Sequence, residues 1–214
     1  MIAKRTSTVL LVIAIMIIVV RSVRATGSTT LYEIFLQAIS KTFGVLSSIQ
    51  SASVINILNA FDEYGDGDAN KLAYIFATAY HEAKLIPRKE DRCDFGTKCY
   101  NAQEKYWYTG FYGRGLVQLT LISNYRYMGE IFNLDLVNNP DLVLDPELSA
   151  KILVYGMMNG TFAPSAGPLS RYINTNKIDF INARRTVNGV DRAEDIAEIA
   201  NNIASNVKLL TQPV

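Results

Sequence analysis

A chain of 214 residues, 49% apolar and 19% charged, is long enough to bury a substantial core in one domain. That composition excludes a disordered or low-complexity protein. The net charge of +1 divides unevenly: residues 1–25 hold four of the 21 basic residues and none of the 20 acidic ones, so the body carries −3. A mildly acidic body has no electrostatic case for a nucleic-acid partner.

The first element is a targeting segment. Lys4 and Arg5 precede an unbroken apolar run from Val9 to Val20, and the uncharged stretch from Thr6 to Val20 is 15 residues long. That is short against the roughly 17–25 residues of a spanning helix. Val23-Arg24-Ala25 offers a cleavage site, so residues 1–25 read as a signal peptide removed near Ala25. The alternative is an uncleaved anchor with the body outside the membrane, and Arg21 and Arg24 near the cut keep it open. Either way residues 26–214 form one domain outside the cytoplasm.

The body reads as mostly helical. Leu31, Ile34, Phe35, Ala38 and Ile39 make one helical stripe between Leu31 and Phe43, and Val54 to Phe61 repeats the pattern. Asp62 to Asp68 is a glycine-broken acidic turn that lacks the ligand register and closing glutamate of a calcium loop. Asp68 or Asn70 caps a helix running to about Ala83, with Leu72, Ile75, Phe76, Ala79, Tyr80 and Ala83 inward. Glu82 lies at the edge of that stripe in the last turn. Partial burial and the negative end of the helix both favour a protonated carboxyl there, as a general acid requires.

Pro87, which ends that helix, opens a long polar and aromatic connection to Gly110. Glu90 sits in it among Arg88, Lys89, Asp91 and Arg92, and nearby cations favour an ionised carboxylate, as a general base requires. Cys93 and Cys99 enclose five residues and close a small loop in an oxidising compartment; two free thiols are the alternative. Trp107, Tyr106, Tyr108, Phe111 and Tyr112 either stack on sugar rings or form a satellite core. With one histidine, His81, and two cysteines, no metal site and no cofactor are expected.

In Tyr112-Gly113-Arg114-Gly115-Leu116-Val117-Gln118-Leu119-Thr120, a tight turn precedes alternating apolar and polar residues. Val117 and Leu119 anchor one face and leave an amide and a hydroxyl on the other, with Arg114 as a structural clamp. Helices follow over Asn124–Phe132, after Asp145-Pro146-Glu147, over Leu169–Ile173 and over Arg192–Leu209. Asn139-Pro140-Asp141 is a turn, convincing strands are few, and no repeat is present. Asn159-Gly160-Thr161 is a glycosylation acceptor pattern, meaningful only on a eukaryotic secretory route.

Two carboxylates with contrasting environments beside a polar shelf match what hydrolysis of a sugar polymer needs. An ordered set of motifs adds to this. It comprises Ala79-Tyr80-His81-Glu82, Ile86-Pro87-Arg88-Lys89-Glu90, Tyr112-Gly113-Arg114-Gly115 with Gln118-Leu119-Thr120, Asn124-Tyr125, Asn139-Pro140-Asp141, and Asn182-Ala183-Arg184-Arg185 with Asn188-Gly189. Over roughly residues 50–210 it resembles glycoside hydrolase family 19, a family of chitinases and phage-type endolysins, and is closer to the short-loop phage or bacterial branch.

The resemblance implies a lysozyme-like, two-lobed helical fold with a central cleft and an inverting mechanism. It implies Glu82 as general acid, Glu90 as general base and Thr120 as the hydroxyl that helps hold the attacking water. Gln118, Asn124, Asn188 and Tyr112 fall at substrate-binding positions, and Arg185 or Arg184 orders the carboxylates. The family's His-Glu-Thr is His-Glu-Ala here, so a hydroxyl beside the acid is missing. The loop after Glu82 is short, and Asp91, Asp94 and Glu104 remain alternatives for the base. The expected partner is a polysaccharide, chitin first and peptidoglycan second, with a monomer as the expected state. A non-catalytic glycan-binding envelope protein that keeps the fold is the alternative of a different class.

Overall fold

The computed structural model describes residues 30–212. The leader proposed at residues 1–25 lies outside the described residues. Among them no helix is long and apolar enough to cross a membrane.

The fold is mostly α. Helix α1 (Leu31–Phe43) starts at a reciprocal cap in which Thr30 Oγ1 accepts from the Glu33 N–H at 3.3 Å and Glu33 Oε2 accepts from the Thr30 N–H at 3.1 Å. Ser47 and Gln50 repeat this at the start of α2 (Ser48–Tyr64), well upstream of the expected Val54. Asp68, not Asn70, caps α3 (Ala69–Ala83). The acidic turn before it supplies Asp66 as the ion-pair partner of the buried Lys71 ammonium.

Helix α3 is the central element. Its residues from Lys71 to Ala79 are all buried, as befits a helix covered on every side. The C-terminal helix α9 (Ala193–Thr211) packs across α3 and α1, and α2 packs on α6 (Pro146–Asn159), which Asp145 caps with Pro146 in the first turn. Phe35 of α1 stacks on Phe76 of α3 with ring centroids 5.9 Å apart. Burial of this size is the dominant stabilising term.

The stretch from Pro87 to Gly110, expected as a connection, contains structure of its own. Strand β1 (Arg88–Lys89) pairs antiparallel with β2 (Arg114–Gly115), Arg88 opposite Gly115 and Lys89 opposite Arg114. A six-residue helix α4 (Lys98–Gln103) follows, capped by Thr97, and then one 3₁₀ turn over Trp107–Thr109. Helix α5 (Ile122–Phe132) leads to a 3₁₀ turn over Pro140–Leu144. Strands β3 (Ile173–Asn174) and β4 (Lys177–Ile178) form a second short hairpin. The short helices α7 (Phe180–Ala183) and α8 (Arg185–Asn188) precede α9.

Candidate active site

One side of the site is the end of α3. The helix stops at Ala83, before Pro87, because Lys84 and Leu85 both turn left-handed at φ 53° and 59°. Their N–H groups return to the carbonyls of Tyr80 at 2.9 Å and Ala79 at 3.2 Å, and the Leu85 side chain is fully buried. This reversal leaves Glu82 half-buried at the rim, where its Oε1 accepts from Arg184 Nη1 at 2.5 Å. Arg184 lies between α7 and α8 with its side chain 2% exposed, and its Nε donates to the Asp191 carbonyl at 2.9 Å. Arg185, the other expected arginine, is exposed and donates to Asn182 Oδ1 at 3.1 Å, so it does not reach the carboxylates. His81 is half-buried; desolvation lowers its pKa, with Glu82 opposing and Arg184 reinforcing the shift.

Glu90 forms the other side. Its Oε1 accepts from Gln103 Nε2 at 2.8 Å and from the Tyr106 hydroxyl at 2.7 Å, and its Oε2 accepts from the Gly113 N–H at 2.9 Å. Among the described residues the neighbouring cations Lys89 and Arg92 do not pair with Glu90. Lys89 Nζ donates to Asp141 Oδ2 at 2.7 Å, and Arg92 pairs with Glu104. Neighbours along a strand project to opposite faces, so cations adjacent in sequence are not adjacent in space. Burial, together with the hydrogen bond to Glu90, raises the Tyr106 pKa, which keeps this phenol a donor.

The shelf between them is built as the alternation suggests. Val117 and Leu119 are buried, while Gln118 and Thr120 are half-buried and line the cleft. Gln118, at φ 53°, spends its Nε2 on the carbonyls of Arg88 at 3.0 Å and Gly115 at 2.9 Å. Thr120 Oγ1 donates to the Gln118 carbonyl at 2.8 Å and keeps its lone pairs, and Asn124 Nδ2 donates to the Thr120 carbonyl at 2.9 Å. Arg114 is 3% exposed and acts as the clamp: its Nε reaches Asp141 at 2.8 Å, and its Nη1 reaches the Tyr125 hydroxyl at 3.1 Å and the Gly110 and Tyr112 carbonyls.

These parts line one cleft of about 630 Å³, within the usual size range of ligand sites. Glu82, Glu90, Gln118, Thr120, Asn124 and Asn188 all contribute to it. Tyr112 does not; its ring stacks on Trp107 at 4.6 Å and carries the Arg114 guanidinium at 4.1 Å. Asp91, Asp94 and Glu104 are exposed and outside the lining. Cys93 and Cys99 are joined in a disulfide, with Cα atoms 5.8 Å apart. Sequence reasoning missed Gln103 as a partner of Glu90, and Lys105, Phe162 and Val187 as lining residues. Tyr106, expected to stack on sugar or to join a satellite core, is a hydrogen-bond donor to Glu90. Among the described residues no group of histidine, cysteine and acidic side chains is arranged to hold a metal ion.

A family model described as chitinase class I, glycoside hydrolase family 19, matches residues 27–201. An acidic 27 kDa endochitinase of Solanum lycopersicum is 37% identical over 106 residues, 48% of this chain and 43% of that protein. An acidic endochitinase of Petunia hybrida is 36% identical over 106 residues, 48% of this chain and 42% of that protein. The matched stretch thus spans less than half the length of either relative. Among solved structures, chitinase C from Streptomyces griseus HUT6037 superposes with a TM-score of 0.60 at 18% identity, over 88% of this chain and 81% of that one. A bacterial family 19 chitinase gives 0.53 at 23% identity, over 82% and 94%. These two likenesses establish a shared fold.

Proposed function

This chain belongs to glycoside hydrolase family 19, the chitinase class I family, and from that membership we propose that it is an endo-acting, inverting hydrolase of β-1,4-linked N-acetylglucosamine polymers. The single observation that carries the reading is one cleft that holds both Glu82 and Glu90 with the Gln118–Thr120 shelf. Glu82 protonates the glycosidic oxygen as the C1–O bond breaks. Glu90 takes a proton from a water that attacks C1 from the opposite face, so the anomeric configuration inverts. Arg184 occupies Glu82 Oε1, and Oε2, which has no protein partner among the described residues, delivers the proton. Thr120 donates its hydroxyl hydrogen bond to the Gln118 carbonyl, so its oxygen is free to accept a hydrogen bond from the water and aim it. Gln118 Oε1, Asn124 and Asn188 offer polar contacts to the sugar.

A second reading, peptidoglycan as substrate, is favoured by Lys105. It is the one basic residue in the cleft lining among the described residues, and peptidoglycan carries carboxylates that a cation recognises. In either reading residues 1–25 deliver residues 26–214 beyond the cytoplasm as a signal peptide or anchor. Sequencing the N-terminus of the exported protein checks this, and an intact Met1 excludes cleavage.

Purified protein assayed on chitin oligosaccharides and on peptidoglycan, with Glu82→Gln and Glu90→Gln alongside, tests the function. Each substitution is expected to cost at least about 100-fold in kcat. Cleavage of neither polymer defeats the enzyme reading in favour of a glycan-binding protein. A product of retained configuration defeats the inverting mechanism.

A further inference from the structure

The proposed reaction assigns no task to Gln103, yet this side chain is only 1% exposed at the end of α4. Its Nε2 donates to Glu90 Oε1 and to the Asp91 carbonyl, both at 2.8 Å, and its Oε1 accepts from the Cys93 N–H at 2.9 Å. All three contacts fall on the stretch Glu90 to Cys93. The disulfide ties Cys93 to Cys99, which lies in the helix that Gln103 ends. Segment and helix are therefore joined at both ends. Tyr106 adds its hydroxyl at 2.7 Å to the same Glu90 Oε1.

We propose that Gln103 and Tyr106 are positioning residues that fix the Glu90 carboxylate in one orientation and leave Oε2 as the oxygen that takes the proton from water. The inference rests on the reading of Glu90 as general base. A carboxylate oxygen has two lone-pair sites. Gln103 and Tyr106 fill both on Oε1, whereas the Gly113 N–H at 2.9 Å fills only one on Oε2. A glutamate in a loop next to a two-residue strand has three side-chain torsions to restrict, and a misplacement of about 1 Å at a reacting group costs on the order of 100-fold in rate. A buried, fully bonded amide supplies that restriction without adding charge.

The test uses the full chain with Tyr106→Phe, which removes only the hydroxyl, and Gln103→Met, which keeps the volume and removes the donors. Steady-state kinetics on chitin oligosaccharides and on peptidoglycan, with thermal unfolding alongside, separate positioning from folding. The expected result for Tyr106→Phe is a kcat lowered about 10- to 100-fold, with KM within about twofold and unfolding close to wild type. Gln103→Met is expected to lower kcat at least as far. Should Gln103→Met fail to fold, Tyr106→Phe decides alone. Wild-type kcat in Tyr106→Phe, while Glu90→Gln is inactive, overturns the positioning role and leaves the base assignment standing. Wild-type kcat in Glu90→Gln overturns both.

Discussion

Arg184 donates to Glu82 at 2.5 Å across a sequence separation of 102 residues. The arginine side chain is 2% exposed and the glutamate side chain 18%, so water screens the pair little. The contact joins the end of α3 to the turn before α8 and holds the acid from behind. Arg184→Ala removes the donor to Glu82 Oε1 and to the Asp191 carbonyl, and leaves a buried side-chain position unfilled. The expected cost is about 1–3 kcal/mol in stability, read by denaturant unfolding. Arg184→Lys keeps the charge but gives up the planar fork that serves Glu82 and the Asp191 carbonyl together, so kcat is expected to fall more than stability. Equal kcat in Arg184→Lys and wild type would show that charge alone suffices.

The two glycines of the Gly-Arg-Gly turn have different duties, and alanine substitutions separate them. A Cβ on Gly113 would lie 2.8 Å from Gln118 Oε1, 3.1 Å from Glu90 Oε2 and 3.2 Å from Glu90 Cβ, so it presses on side chains and not on backbone. Gly113→Ala is expected to fold with a loss below about 1 kcal/mol and to lower kcat at least about tenfold by pushing Glu90 aside. A Cβ on Gly115 would lie 2.6 Å from the buried Ser149 hydroxyl and 2.9 Å from the Val143 carbonyl, at a φ of 77°. Gly115→Ala is expected to cost about 1–3 kcal/mol from the backbone conformation alone. Thermal unfolding beside kinetics checks the contrast.

His81 is the single histidine of the chain, so its titration gives one resolved NMR signal. Desolvation lowers its pKa, Glu82 acts the other way, and Arg184, Lys84 and Arg192 add to the lowering. The expected midpoint lies below the ordinary value of about 6.5. Because the folded state binds the proton less readily than the unfolded chain, the stabilising contribution is complete above about pH 6.5 and is lost as pH falls through the folded midpoint. His81→Gln is expected to flatten that part of the stability profile. A midpoint at or above 6.5 contradicts the burial argument.

Reduction of Cys93–Cys99, or replacement of both by serine, opens a loop of sequence separation 6. Loop-closure entropy puts the loss at about 2 kcal/mol. Because Cys93 is held by Gln103, which also holds Glu90, kcat is expected to fall at temperatures where the reduced protein is still folded. Activity measured with and without reductant, well below the unfolding midpoint, checks this.

Local signals in the chain located the long helices, although α2 begins at Ser48 and not at the expected Val54. The stripe from Ile34 to Ile39 and the Asp145-Pro146 start act within a few residues of themselves and stand where expected, and of the two cap candidates Asp68 is the one used. Helix α4 was not legible, because six residues are too few to display a 3.6-residue period. The β1–β2 pair was hidden for another reason: each strand has two residues, and its partner residues lie far away in sequence, as in Arg88 opposite Gly115. The two glutamates and the Gln118–Thr120 shelf stood out through residue type and ordered motif, and all of them line the cleft.

Partner choice is where the chain alone falls silent. Arg184 and Arg185 are adjacent and chemically identical, yet one is buried against Glu82 and the other is exposed beside Asn182. Successive side chains leave the backbone in different directions, and the packing of a short turn selects which one faces inward. The same holds for Glu90, whose sequence neighbours Lys89 and Arg92 serve Asp141 and Glu104, while its true partners sit 13, 16 and 23 positions downstream. Periodicity and capping are properties of consecutive residues and can be read along the chain. Charges and hydrogen bonds act over a few ångströms of space, so the chain had to fold before Glu82 met Arg184 and Glu90 met Gln103.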